Sequence, residues 1–152
     1  MAGAVRSTVS GAPAIALRLL ALLLGVFFLF NGLDKLSWFL DSSILDERLD
    51  QWGASAAPAQ IWYLETIAAP GVPLFARLVP LAELSTAAAL ILGFWTRLAA
   101  ALALFMVANF HLARGLFFSN EILTDGVGFP VIGGLLALAI AGGRLPFSVS
   151  RQ

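Results

Sequence analysis

The chain has 152 residues, of which 60% are hydrophobic and 12% charged, with a mean hydropathy of +0.92 and no cysteine. Soluble domains carry about 25% charged residues, so these values exclude disorder, a basic nucleic-acid binder and nearly every soluble enzyme class. The missing thiols exclude cysteine redox catalysis, Fe–S clusters and Cys-ligated zinc, and the net charge of zero means that any electrostatic preference lies in where charges sit.

A hydrocarbon core about 30 Å thick needs about 20 apolar residues per spanning helix. The first stretch that qualifies runs from about Pro13 to Leu33, with Arg18 one turn inside its start. Its apolar run is too long for a signal peptide and leaves through Asn31-Gly32-Leu33-Asp34-Lys35 instead of a small-residue cleavage site, which makes it an uncleaved anchor.

The connection that follows, roughly Leu36 to Gly71, interleaves Trp38, Trp52, Trp62 and Tyr63 with Asp41, Asp46, Glu47, Asp50 and Glu65. Tryptophan and tyrosine favour the headgroup layer, where one end of the ring is apolar and the other wet. Apolar residues at helical spacing over Ile44–Asp50, with Ser42 or Ser43 as cap, give one short helix. A second runs from Pro58 to Ala68 and stops before Pro70-Gly71. Both are expected to lie on the outer leaflet, either as a structured cover or as a substrate-gating cap.

The second spanning stretch, about Pro73 to Trp95, contains Arg77, Pro80 and Glu83. Pro80 removes a backbone hydrogen bond and is expected to kink the helix three residues before Glu83. The third, about 98–115, follows a tight Phe94-Trp95-Thr96-Arg97 hairpin and carries His111 and Arg114, and the fourth runs from about Val127 to Gly143. With the N-terminus cytoplasmic, Arg6, Arg18, Arg97, Arg144 and Arg151 fall on the inner side without an acid. Lys35, Arg48, Arg77, Arg114 and all nine acidic residues then fall in the outer half, so N-in, C-in is the expected orientation.

These elements define an all-α integral membrane protein: an antiparallel four-helix bundle, with short interfacial helices between the first and second spans. Helices in lipid meet through small residues. Gly133, Ala137 and Ala141 on the fourth, Ala87–Ala89 and Gly93 on the second, Ala99, Ala100, Ala103 and Ala108 on the third, and Gly25 and Gly32 on the first are the expected contacts. Phe27, Phe28 and Phe30 face lipid or pack between helices.

Glu83 lies 14 residues before Arg97 and His111 lies 14 residues after it. At about 1.5 Å per residue both stand about 21 Å from the hairpin, at one depth on antiparallel neighbours. Asn31, 13 residues beyond Arg18, reaches a similar layer, with Asp34, Lys35, Arg77 and Arg114 just outside it. An unpaired intramembrane carboxylate costs about 2.5–3.5 kcal/mol, so Glu83 is protonated, paired or facing a wet cavity, with Lys35, Arg77, His111 and Arg114 as candidate partners. A glutamate beside a histidine suits a proton relay or a quinone headgroup site, and an ion pair fixing helix register is the competing reading. His111 has three readings: proton donor, axial ligand to a haem or chlorophyll magnesium, and interhelical hydrogen bonding, of which the last is preferred. A single histidine excludes bis-histidine haem within the chain, and Met106, five residues away on the same helix, cannot reach the opposite metal face. No dinucleotide fingerprint, P-loop or nucleophile elbow is present.

The order of features resembles the DoxX/DoxD-like family of small four-helix membrane proteins. The resemblance is carried by Gly32-Leu33-Asp34-Lys35-Leu36, Leu81-Ala82-Glu83-Leu84, Phe94-Trp95-Thr96-Arg97-Leu98, Asn109 to Gly115 and Gly142-Gly143-Arg144-Leu145-Pro146. Residues Trp62 to Gly115 are similar to the subgroup related to the thiosulfate:quinone oxidoreductase subunit. Where the family commonly has glycines after the glutamate, Ser85-Thr86-Ala87-Ala88 stands here. The resemblance implies a bacterial or archaeal cytoplasmic membrane protein associated with quinone-linked oxidation of a small sulfur compound. It would have no cofactor of its own, a quinone as ligand, and other membrane subunits as partners. Glu83 and His111 would then exchange protons while Lys35, Arg77, Arg114 and Asn31 bind substrate. An accessory subunit of a larger respiratory or photosynthetic complex is the alternative.

Overall fold

The computed structural model describes residues 11–143 and 145–149, without the side chain of Phe118. Arg6, Arg144 and Arg151, counted above for orientation, lie outside the described residues. Every regular element among the described residues is helical, as the apolar spacing requires. Helix α1 (Ala12–Asp34) opens with Pro13 in its first turn, where the missing N–H leaves no hydrogen bond unmade. The connection folds into α2 (Ser37–Leu40), α3 (Ser43–Gly53) and α4 (Pro58–Tyr63), the last continued by a π-helical turn over Leu64–Ala68. Helix α5 (Val72–Leu92) and α6 (Thr96–Ala113) form the hairpin, and two 3₁₀ turns lead to α7 (Phe129–Ala141).

The start of α3 differs in detail from expectation. Neither Ser42 nor Ser43 caps it through a side-chain oxygen. The carboxylate of Asp41 accepts instead from the Ser43 N–H at 2.9 Å and its hydroxyl at 2.6 Å, an Asx-type turn in which a charged acceptor displaces a neutral one. These two bonds hold the exposed Asp41 carboxyl below its usual pKa.

The long helices form a ring in which α1 packs on α5, α5 on α6, α6 on α7 and α7 on α1. Contacts run in opposite chain directions along α1 and α5, so these two are antiparallel. A Cβ on Gly25 would lie 2.7 Å from Ile91 Cγ1 and 3.2 Å from the Ile91 amide, and one on Gly32 would lie 3.2 Å from the Leu84 amide. Backbone therefore approaches backbone at both positions, as the small-residue reading anticipates. Arg18 closes the far end of this contact. It is buried, and its guanidinium donates to the carbonyls of Leu90 (2.8 Å) and Ile91 (2.6 Å), which have no partner inside α5 because the helix ends there. At Gly93 the chain adopts φ 71°, the left-handed conformation that ends a helix without a Cβ clash. The backbone of Val149 donates to the Leu92 carbonyl at 3.0 Å, bringing the C-terminal segment under the hairpin.

Two expectations for the fourth helix are corrected. Helix α7 has 13 residues, about 20 Å of rise, so among the described residues three helices and not four are long and apolar enough to cross a bilayer. Gly126 to Gly128 unwinds before the helix starts, and the Gly142-Gly143 pair ends it early. The Gly133–Ala137–Ala141 stripe also points away from the bundle: a Cβ on Gly133 would meet nothing within 4 Å. The buried face is Val131, Gly134, Leu135 and Leu138, with Gly134 set against Leu20 and Leu24 of α1. In a helix this rich in glycine and alanine, a four-residue stripe exists on more than one face, and the large residues between decide which is inside.

The bundle core gathers Ala21, Leu24, Phe28, Ala87, Leu90, Ala100, Ala103, Val107, Leu135 and Leu138. Leu19, Leu23, Phe30, Leu81, Leu102, Phe105 and Ile140 are exposed around it, the outward apolar belt of a helical membrane bundle. Phe27 and Phe28 meet edge to face at 5.2 Å between centroids, so the phenylalanine cluster divides, with Phe28 inside and Phe30 outside. The connection has its own core of Trp38, Leu45, Leu49, Tyr63, Leu64 and Ala68 against Val72, Ala76 and Ala113. Helices α2–α4 thus form a packed cap on one end of the bundle, opposite the hairpin end.

Candidate functional site

Glu83 and His111 come together under this cap, as the equal count from the hairpin requires. Glu83 is 4% exposed and His111 fully buried, and both line one cavity of about 300 Å³ with Asn31, Asp34, Lys35, Arg48 and Arg114. Its apolar walls are Phe27, Phe28, Trp38, Trp52, Met106, Val107 and Phe110. Five elements contribute: α1, α2, α3, α5 and the end of α6.

Lys35 is the centre of the polar end. Its ammonium donates to both carboxylate oxygens of Glu83 at 2.9 Å and to the Asn31 carbonyl at 3.1 Å. The Asn31 Oδ1 lies at 3.5 Å as a fourth acceptor, so the three N–H groups are fully engaged. The same ammonium sits 5.8 Å from the ring centre of Trp38 and 5.6 Å from that of Phe110, within cation–π range. Lys35 occupies the residue after α1 ends, where a cation opposes the negative end of the helix dipole. Of the four partners weighed for Glu83, Lys35 is thus the one that pairs with it, in the narrow sense of a direct contact among the described residues. The side chain of Asn31 donates back to the Phe27 carbonyl of its own helix at 2.9 Å, leaving its second N–H free.

His111 departs from the preferred sequence reading. Its Nδ1 lies 2.7 Å from the Val107 carbonyl, four residues back in its own helix, so the bond is intrahelical rather than interhelical. A carbonyl only accepts, so Nδ1 carries a hydrogen. Nε2, buried, has no hydrogen-bond partner among the described residues. The ring packs against Phe117 at 5.6 Å between centroids. A buried polar atom without a partner costs about 1–3 kcal/mol, and here it belongs to a side chain that lines a cavity.

The cations divide. Arg114, half exposed at the cavity mouth, is bonded to Asp125 at 2.8 Å. Partial burial of Asp125 works against its charge, but the Val127 N–H and the Arg114 guanidinium together hold its carboxyl below the usual value. Arg77 is not part of the site. It is exposed, folds back onto the Pro73 carbonyl of its own helix and is absent from the cavity wall. The turn at Gly71 starts α5 such that position 77 points outward while 76, 80 and 83 point in. Arg48 takes the place at the mouth that Arg77 was expected to fill. It is the one cation of the connection and its exposure at α3 carries no spacing signal, so the sequence does not single it out. Gln60 was also not anticipated: buried in α4, it donates to the carbonyls of Ala113 (2.9 Å) and Trp52 (3.1 Å), tying the cap to the end of α6. Tyr63 does the same through Asn109 at 3.0 Å.

Trp38, Trp52, Met106 and Phe110 are shared with a second cavity of about 510 Å³ between α5, α6 and the cap. It is lined by Leu45, Leu49, Tyr63, Phe75, Leu78, Val79, Leu102 and Phe105 and is almost wholly apolar. Ala82, Leu102 and Met106 continue it into a third recess of about 340 Å³ that reaches Phe94 and Trp95 at the hairpin. A polar chamber thus adjoins an apolar groove that follows the α5–α6 seam. No group of three or more His, Cys, Asp or Glu residues suited to a metal ion exists among the described residues.

A helical membrane bundle with a charged chamber beneath an interfacial cap is the class that fold and site define. The DoxX family model matches residues 16–113, more than half of the chain, and the protein belongs to that family. The match covers α1 to α6, and with them Asn31, Lys35, Glu83 and His111. No curated protein and no solved structure gives a significant match.

Proposed function

We propose that this DoxX-family membrane protein is the quinone-binding subunit of an oxidoreductase in a bacterial or archaeal cytoplasmic membrane. With both termini cytoplasmic, its polar chamber lies in the outer half of the bilayer. The observation that carries the reading is the juxtaposition of a buried, unpartnered imidazole nitrogen and an ion-paired carboxylate with an apolar groove. That layout suits a ligand with a polar ring and a long hydrocarbon tail. A quinone supplies reversible two-electron, two-proton chemistry, and the electrons are exchanged with a partner subunit.

The residues of this chain position the head and move protons. His111 accepts or returns a proton at Nε2 while Nδ1 stays tied to Val107. Lys35 holds and orients the Glu83 carboxylate, and Glu83 is the second proton-exchanging group. Arg48 and Arg114 at the mouth present donors to a carbonyl or to a small sulfur oxyanion arriving from the water side. Trp38 and Trp52 separate the head from the tail.

Quinones quench tryptophan emission on contact, which gives a direct test. The protein reconstituted in lipid nanodiscs is expected to lose fluorescence saturably on addition of a decyl-tailed benzoquinone or naphthoquinone. The loss should be reduced by at least half in the Trp38→Phe/Trp52→Phe variant, which retains Trp62 and Trp95. Linear, unsaturable quenching identical in both proteins would contradict the reading and favour the accessory subunit of a larger complex.

A further inference from the structure

The charged and unpartnered groups at the buried end of the chamber are weighted towards acceptors. The ammonium of Lys35 is saturated, with both Glu83 oxygens, the Asn31 carbonyl and the Asn31 Oδ1 as four acceptors for its three N–H groups. The imidazole of His111 has spent its one N–H on Val107, so in the neutral ring Nε2 is a lone-pair acceptor. Glu83 is acceptor-only when ionised and keeps spare lone pairs beyond those that Lys35 uses. Among the described residues the remaining donors at this end are the second N–H of Asn31 and the indole N–H groups of Trp38 and Trp52, all neutral. The donor-rich side chains, Arg48 and Arg114, are exposed parts of the same cavity wall.

A quinone head has only acceptor oxygens, so its inner carbonyl would face the lone pairs of His111 and Glu83. A quinol head carries hydroxyl donors and satisfies them. Resting on the quinone-class reading above, we infer that the chamber is selective for the reduced, hydroxyl-bearing form of its ligand. His111 Nε2 would accept a hydroxyl hydrogen bond, and the outer oxygen would face the arginines. A site built around one hydrogen bond discriminates strongly against the analogue that cannot make it, because the buried group is then left unpaired.

The chain's single histidine makes the test unambiguous. Protein in nanodiscs, labelled with ¹⁵N in its imidazole, is titrated under anaerobic conditions with decyl-tailed benzoquinol and naphthoquinol, and separately with the oxidised quinones. Affinity is read by calorimetry and the state of Nε2 by NMR. The expected result is a quinol preference of at least about tenfold, with the unprotonated Nε2 resonance of the free protein moving upfield only when quinol binds. His111→Phe is expected to erase the preference while retaining quinone binding, and the NMR readout on unaltered protein stands even where that variant fails to fold. Equal affinity for both forms, a preference for quinone, or a protonated Nε2 in the free protein would overturn the inference and leave the quinone-site reading intact. Binding of neither form would overturn both.

Discussion

At the scale of single residues, the Lys35–Glu83 pair is the interaction on which the chamber depends. Removing one member of a buried pair strands the other, at a cost of about 3–5 kcal/mol, while replacing both by apolar groups is often close to neutral. Glu83→Gln is therefore expected to destabilise the protein by about 3 kcal/mol, and Lys35→Met/Glu83→Gln to recover a large part of that. Reversible unfolding in mixed micelles, read by near-UV circular dichroism, measures both. Arg77→Ala should leave stability and quinone quenching unchanged, since its guanidinium reaches only its own helix. Asp125, in the loop before α7, sets a pH dependence of its own. Its folded-state pKa lies below the ordinary 3.8, so its contribution is fully present above that value and is lost as pH falls through the folded-state pKa. The stability difference between the protein and Asp125→Asn is expected to be constant from pH 7 to about 5 and to shrink below about 4.

At the scale of elements, the helix contacts separate positions that look alike in sequence. Gly25 and Gly133 are both glycines in apolar helices, yet one touches the backbone of α5 and the other touches nothing. Gly25→Val is expected to force α1 away from α5 and cost about 2 kcal/mol or more, whereas Gly133→Val should change unfolding by less than about 0.5 kcal/mol. Arg18 and Arg97 each supply a guanidinium to the carbonyls near a helix end, Arg18 to α5 and Arg97 to Ala139 of α7 at 3.1 Å. Lysine lacks the planar, pre-organised fork with which Arg18 reaches two carbonyls. Arg18→Lys is therefore expected to lower the melting temperature and leave Arg97→Lys milder, because Arg97 is exposed and uses one N–H.

At the scale of the molecule, what the sequence made legible was depth. Counting along two helices from a shared hairpin brought Glu83 and His111 to one level with simple arithmetic, and the hydropathy of α1, α5 and α6 marked the spans. Rotation about each helix axis was less legible. It decided that Arg77 points out, that Gly133 is free and that Gly134 is buried, and in an apolar helix no polar face marks the side that turns inward. Helix α7 was overestimated for a related reason: glycines count as apolar in a hydropathy window while they end the helix that the window describes. The role of His111 was hidden because a bond to a backbone carbonyl of its own helix leaves no trace in residue types. Arg48 and Gln60 were missed because they sit on short cap helices whose placement over the bundle depends on tertiary packing, where neither spacing nor charge singles them out.

The central claim, that the chamber under the cap holds an amphipathic quinone-class ligand, is tested most directly by native mass spectrometry of the protein released gently from its own membrane. Retention of a bound species with the mass of a quinone or quinol by the unaltered protein, and its loss from Glu83→Gln, is the result expected. Recovery of the chain without any such species, only as one component of a larger assembly, would contradict the claim and assign the polar layer to holding helices in register.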